Sequence, residues 1–156
     1  MVAFFPCTRF ESQIQLYMRG EAIGQKKWTD KEKLEYSLRL NNELNEMYQL
    51  VSKLALIAIE RNLRLIIENP ANHDHYLTRF FPIKPKWVDK DRTQRGDCRK
   101  KPTQYWFIGF EPKNNFVLEP LHLADEIKTH NKTHNQVERS MITPQYARRF
   151  IQEFIL

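Results

Sequence analysis

The sequence predicts an α/β fold: a small sheet with a long helix on one face and a C-terminal helix packed against it. Three observations predict it. A long stretch with helical periodicity lies between two short apolar runs, Val2-Ala3-Phe4-Phe5-Pro6 and Leu63-Arg64-Leu65-Ile66-Ile67. Strand, helix, strand in that order is half of a parallel crossover unit. A third apolar run, Tyr105-Trp106-Phe107-Ile108-Gly109-Phe110, carries the aromatic enrichment of a sheet strand.

The first strand is expected over residues 2–6, and residues 9–28 read as irregular, with Gly20, Gly24 and scattered charge. Thr29-Asp30-Lys31-Glu32 matches a capping box, Thr29 as N-cap and Glu32 reaching back. Leu34, Leu38, Leu44, Met47, Val51, Leu54 and Ala58 follow at helical spacing, which predicts a helix over about 30–61 that ends near Asn62. Residues 63–67 form the second strand, and Pro70 is expected to stop it. Asn72 to Asp91, with Pro82 and Pro85, reads as loop or short irregular helix. After the aromatic strand, Pro112-Lys113-Asn114-Asn115 has turn chemistry, and Phe116-Val117-Leu118 suits a short strand. Residues 129–138 are polar and are expected to be a mobile loop. The last segment places Tyr146, Ala147, Phe150, Ile151 and Phe154 at helical spacing, with Thr143 as N-cap and Pro144 at the first helical position.

A chain of 156 residues fits one domain, and 41% hydrophobic residues suffice for a core. No run approaches the roughly 18 apolar residues of a membrane span, so no membrane role is expected. The two cysteines, Cys7 and Cys98, do not make a disulfide framework; free thiols and a cytoplasmic setting are expected. The net charge of +6 favours an anionic partner, nucleic acid first. The cations concentrate between residues 79 and 101: Arg79, Lys84, Lys86, Lys90, Arg92, Arg95, Arg99, Lys100 and Lys101, against Asp89, Asp91 and Asp97. Phe80, Phe81, Trp87, Tyr105 and Trp106 flank them. Phosphate contacts beside stacking surfaces are what single strands and flipped bases require; the plain alternative is a solvated basic face.

Two short segments carry chemistry. Cys7 follows the first apolar run, and Glu68-Asn69 follows the second. A thiolate is the strongest side-chain nucleophile near neutral pH, and a carboxyl group would hold or deliver a proton on a ring nitrogen. Both would emerge at the carboxyl ends of adjacent parallel strands, the edge where open α/β sheets place their sites. Read from the residues alone, Cys7 fits a buried core cysteine better than a nucleophile, and Glu68-Asn69-Pro70 is equally a strand-ending turn. The pairs His73/His75 and His130/His134 have metal-compatible spacing, but no cysteine or carboxylate cluster joins them, so no metal is expected.

Pro6-Cys7-Thr8, Glu68-Asn69-Pro70, Arg95-Gly96-Asp97 before Lys101-Pro102-Thr103-Gln104-Tyr105-Trp106, and Arg139-Ser140-Met141-Ile142-Thr143-Pro144 occur in that order. Together they resemble the catalytic half of the five-position cytosine DNA methyltransferases, particularly short phage-type members. The resemblance implies a partial Rossmann-like, methyltransferase-type sheet. It also implies that Cys7 attacks position 6 of a flipped cytosine, that Glu68 meets the N3 edge of the ring, and that Asn69 orders the turn. Arg92, Arg95, Arg99, Lys100 and Lys101 are the expected nucleic-acid clamps.

The departures from that family carry equal weight. The glycine-rich loop that holds S-adenosylmethionine, and the acid for its ribose, normally precede the cysteine. Here Gly20, Gly24, Gly96 and Gly109 form no Gly-x-Gly loop. Arg9-Phe10-Glu11-Ser12 stands where the family has Phe-Ser, and Glu11 near Cys7 would raise the thiol pKa. No cofactor is therefore expected for the chain alone; S-adenosylmethionine would bind only if a partner chain supplies the site. The expectation is a non-catalytic, methyltransferase-derived protein that binds nucleic acid or a nucleoprotein complex. On the phage resemblance, it would be an inhibitor of a host nucleic-acid-guided defence complex. The alternative is the cytosine-attacking half of a split DNA cytosine methyltransferase. The apolar 2–6 strand, taken as a sheet edge, would be covered by a homodimer contact or by a partner chain.

Overall fold

The protein is described here from a computed structural model covering residues 2–4, 9–71, 75–122 and 141–156. Strands β1 (Val2–Phe4), β2 (Leu65–Pro70), β3 (Trp87–Asp89) and β4 (Thr103–Ile108) form one sheet in the order β1-β2-β4-β3. β1 and β2 are parallel, with Val2 opposite Ile66 and Phe4 opposite Glu68. β4 runs antiparallel to both of its neighbours, pairing Leu65 with Ile108 on one side and Trp87 with Tyr105 on the other. The chain is thus α/β, with the expected parallel crossover and a mixed rather than wholly parallel sheet.

The crossover contains α1 (Ser12–Met18) and α2 (Asp30–Glu60). α2 begins as the sequence predicts. Thr29 Oγ1 accepts from Glu32 N at 3.3 Å while the Glu32 carboxylate accepts from Thr29 N at 2.7 Å and from Thr29 Oγ1 at 2.9 Å, and the two bonds to the carboxylate hold the Glu32 pKa below the usual carboxylate range. It ends where Asn62 turns left-handed (φ 53°) and Leu63 N–H reaches back to Ala58 O at 2.8 Å, a Schellman closure that satisfies the last carbonyls. Its inner face, Leu44, Val51, Ala55 and Ala58, packs on Leu65, Ile67, Trp106 and Ile108 together with Phe10, Leu77 and Phe81.

α3 (Tyr76–Phe80) is a single turn after β2. α4 (Pro144–Phe154) starts on Thr143, whose Oγ1 accepts from Tyr146 N at 3.2 Å, with Pro144 at the first position as expected. α4 lies on the opposite face of the sheet from α2, not against it. Tyr146, Phe150 and Phe154 pack on Ile66, Tyr105 and Phe107. Two-residue alternation is the cause: successive residues of β2 and β4 supply the two faces in turn.

Four expectations about elements are corrected. Residues 9–28 are not irregular: α1 and a 3-10 turn at Ile23–Gln25 occupy them. Gly20 (φ 71°) closes α1 rather than preventing it, because Glu21 N–H bonds Leu16 O at 2.9 Å behind it. β2 does not stop before Pro70. Ala71 N–H donates to Pro102 O at 2.9 Å, so alternate N–H groups face β4 and the missing one of Pro70 falls on the other side. The stretch containing Pro82 and Pro85 also yields β3, and residues 116–118 form an extended strap instead of a strand. Cys7, the end of the predicted first strand and the 129–138 loop lie outside the described residues.

Candidate functional site

Glu68 and Asn69 sit within β2, not past its end. Alternation sends Asn69 to the α2 face, where it is fully buried. Its Nδ2 donates to Glu68 O at 2.5 Å and its Oδ1 lies 3.2 Å from His75 Nε2. The carbonyl oxygen can only accept, so Nε2 carries the proton. His75 is fully buried between Phe10 and Trp106, with ring centroids 6.0 and 6.4 Å away. Burial pushes its pKa down to about 4, against the opposing charge of Glu11. His75 Nδ1 has no hydrogen-bond partner among the described residues. Asn69 therefore anchors the segment leading into α3.

Glu68 points to the α4 face and is half-buried. Burial pushes its pKa up, and the charges of Lys101 and Arg92 pull it back. Among the described residues its carboxyl group accepts no hydrogen bond and makes no ion pair. Across the ladder stands Tyr105, the start of a buried relay. Tyr105 and Tyr146 hydroxyls are 2.8 Å apart, and Tyr146 donates to Asp89 Oδ2 at 3.0 Å. Since Tyr146 spends its proton on the carboxylate, Tyr105 is the donor in the first pair. Desolvation raises the pKa of both phenols and of Asp89.

Cys7 lies outside the described residues. The parallel register places Phe4 beside Glu68, so β1 ends at the same edge of the sheet.

The cations expected to clamp nucleic acid divide into three kinds. Arg92 is buried, with Nε 2.6 Å from Asp97 Oδ2, Nη2 3.3 Å from Met141 O and its guanidinium over the Tyr146 ring. Arg95 forks onto the Glu153 carboxylate at 3.1 and 3.2 Å, stands 3.5 Å from Asp89 and stacks on Trp87. Both tie the 3-10 turn Arg92–Arg95 to α4 and its surroundings. Arg99 is 7% exposed, and Lys101 is half-buried near Glu68. Lys100 is exposed, with only a 3.8 Å approach to Asp91, and Lys90 is exposed as well. Of the flanking aromatics, Phe81, Tyr105 and Trp106 are core and Trp87 is half-buried, whereas Phe80 remains 58% exposed.

Sequence reasoning gave no role to the strap, residues 113–122, that runs along α4. Lys113 N–H bonds Phe154 O, and Asn115 donates from its backbone to Glu153 O at 2.7 Å and from Nδ2 to Gln152 O at 3.0 Å. Farther on, Arg149 Nη1 donates to Glu119 O at 2.8 Å and Gln152 Nε2 to the Glu119 carboxylate at 2.7 Å. A shallow depression of about 260 Å³ opens between strap and helix, lined by Arg95, Asn115, Phe116, Arg149 and Glu153 among others. The turn chemistry of Pro112 to Asn115 was the available signal.

Among the described residues no group of His, Cys, Asp or Glu gathers to hold a metal ion, and no helix is long and apolar enough to cross a membrane. No family model matches the sequence, and no curated protein or solved structure matches the chain.

Proposed function

We propose that this chain binds nucleic acid, as a methyltransferase-derived domain on a partial Rossmann-like plan that performs no methyl transfer by itself. The observation that carries the proposal is Glu68. It is a half-buried carboxyl group with no hydrogen-bond partner among the described residues, its pKa raised by burial, with Lys101 nearby. A carboxyl group whose pKa is raised by partial burial is suited to the edge of a base, where it can donate or accept. Lys90 and Lys100 add exposed positive charge in the same basic stretch, and the chain as a whole carries +6. These 156 residues contain no Gly-x-Gly loop for a methyl donor. In this proposal the partner is nucleic acid or a nucleoprotein complex, and on the motif resemblance a host nucleic-acid-guided defence complex inhibited by a phage or mobile-element product.

The test is binding to labelled single- and double-stranded oligonucleotides across a salt series. The expected result is a steep linear fall of log affinity with log salt, weakened further by Lys100→Glu and by Glu68→Ala. No binding, or a flat salt response, rejects the proposal.

A second reading, the cytosine-attacking half of a split methyltransferase, is favoured by the parallel β1–β2 pair that ends beside Glu68. Calorimetry with S-adenosylmethionine, with and without a candidate cofactor-binding chain, tests it. Heat of binding in neither case rejects it, as does a methylation activity unchanged by Cys7→Ser.

A further inference from the structure

The strap along α4 inverts the usual placement of apolar side chains. Its backbone is pinned on both sides, at Asn115 and at Glu119. Between those anchors Val117 is half-buried, while Phe116 and Leu118 stand 88% and 86% exposed. The alternation is that of a strand, but the large apolar residues take the solvent side. A free loop would fold such residues inward to remove them from water; this one is held by hydrogen bonds in a position that displays them.

Beside Phe116, Arg149 lines the same depression. Its Nη1 is engaged by Glu119 O, it has no carboxylate partner among the described residues, and its Nε is buried without an acceptor. With Nη1 held by Glu119 O, the remaining Nη2 is the group that would meet a phosphate oxygen. Arg148 is exposed on the same helix and Lys113 on the strap. Glu153 lines the depression too but is paired with Arg95, and Glu119 faces Gln152; Arg148, Arg149 and Lys113 against Glu119 leave the surroundings of the displayed ring with a net positive charge.

We infer that this depression is a single-strand site, in which Phe116 is the platform for one stacked base and Arg149 binds the adjoining phosphate. The inference rests on the nucleic-acid reading above and locates a contact that the basic 79–101 stretch does not contain. A phenyl ring offers stacking without sequence preference, because every base has a π-face, and an adjacent cation supplies the backbone contact. The positive excess of the patch beside an exposed ring favours nucleic acid over an apolar protein segment as the occupant.

The experiment is fluorescence anisotropy of the full chain with a labelled eight-residue oligothymidine. Loss of one stacked base predicts a Kd raised about five- to a hundred-fold in Phe116→Ala, with Phe116→Trp at or below the wild-type Kd and Phe116→Leu as weak as alanine. Arg149→Gln should also weaken binding and lower the salt slope by about one unit. Phe116 is exposed, so its variants should keep the wild-type melting temperature, and equal melting curves verify it. If Phe116→Ala binds like the wild type while Lys100→Glu does not, the strap site is wrong and the nucleic-acid function stands. If Phe116→Leu restores binding, the ring is a mere apolar contact and the inference fails. If the wild type binds no oligonucleotide, both proposals fall together.

Discussion

Glu68 and Asn69 are adjacent in the chain and serve opposite faces of the sheet. Asn69 Oδ1 fixes the buried His75 ring at 3.2 Å on the α2 side, while Glu68 stands opposite Tyr105 on the α4 side. Their roles separate accordingly, one in holding the fold and one at the candidate site.

Asn69→Ala should leave His75 Nε2 without its acceptor in a dry core, since Nδ1 is already unpartnered among the described residues. The expected loss is about 1–3 kcal/mol of stability, read from urea unfolding midpoints, with oligonucleotide affinity unchanged at temperatures where the variant is folded. A loss of affinity without a loss of stability would move Asn69 to the binding side.

His75 also gives the protein a pH signature. Its folded pKa of about 4 lies below the unfolded value of 6.5. Between those values the unfolded chain binds the extra proton, so stability falls as pH drops from about 6.5 and levels off below about 4, by about 3 kcal/mol in all. Glu68 and Asp89, whose folded pKa values are raised by burial, act in the opposite sense. A His75→Gln variant isolates the histidine contribution: its stability should lack this acid-side decline, and the same pH slope in both chains would refute the assignment.

Arg92 and Asp97 form an ion pair with both side chains at most 1% exposed. Arg92→Met or Asp97→Asn alone strands the remaining charge in the interior, with an expected loss of about 3–5 kcal/mol. The double variant Arg92→Met/Asp97→Asn should recover part of that loss. Chemical denaturation of the three variants measures the coupling; a double variant as unstable as the sum of the singles would contradict it.

Gly109 and Gly96 both have positive φ, 79° and 86°, yet they should respond differently to alanine. A Cβ at Gly109 would meet the backbone carbonyl oxygen of Leu63 at 2.6 Å, whereas at Gly96 it meets the movable Gln145 side chain. Both variants bear the left-handed cost of about 1–2 kcal/mol. Gly109→Ala should lose more, because β4 must shift to clear the Leu63 oxygen. Thermal melts of the two variants rank them, and a milder loss at Gly109 would overturn this account.

The ends of the long helices were legible because their signals are local. The Thr29/Glu32 box and Thr143 with Pro144 act within a few residues, and the structure shows each bond. β3 was not legible, since three residues after two prolines become a strand only by pairing with Tyr105 to Thr103. The same holds for the cations. Nothing near Arg95 in the sequence announces Glu153, which neutralises it from 58 positions away. Nor does composition reveal that Arg92 is turned inward. Glu68 and Asn69 were found as residues, but the strand running through Pro70, which assigns them to different faces, depends on a ladder bond between Ala71 and Pro102.

The order β1-β2-β4-β3 also sets a schedule for folding. β4 is the last of the four strands to be synthesised, yet it lies between β2 and β3. A nascent chain that has not reached Thr103 holds only the parallel β1–β2 pair, and β3 has nothing to join. Residues 103–108 therefore act as the keystone of the sheet: their arrival closes both faces at once, bringing Trp106 to the α2 side and Tyr105 and Phe107 to the side that α4 later covers.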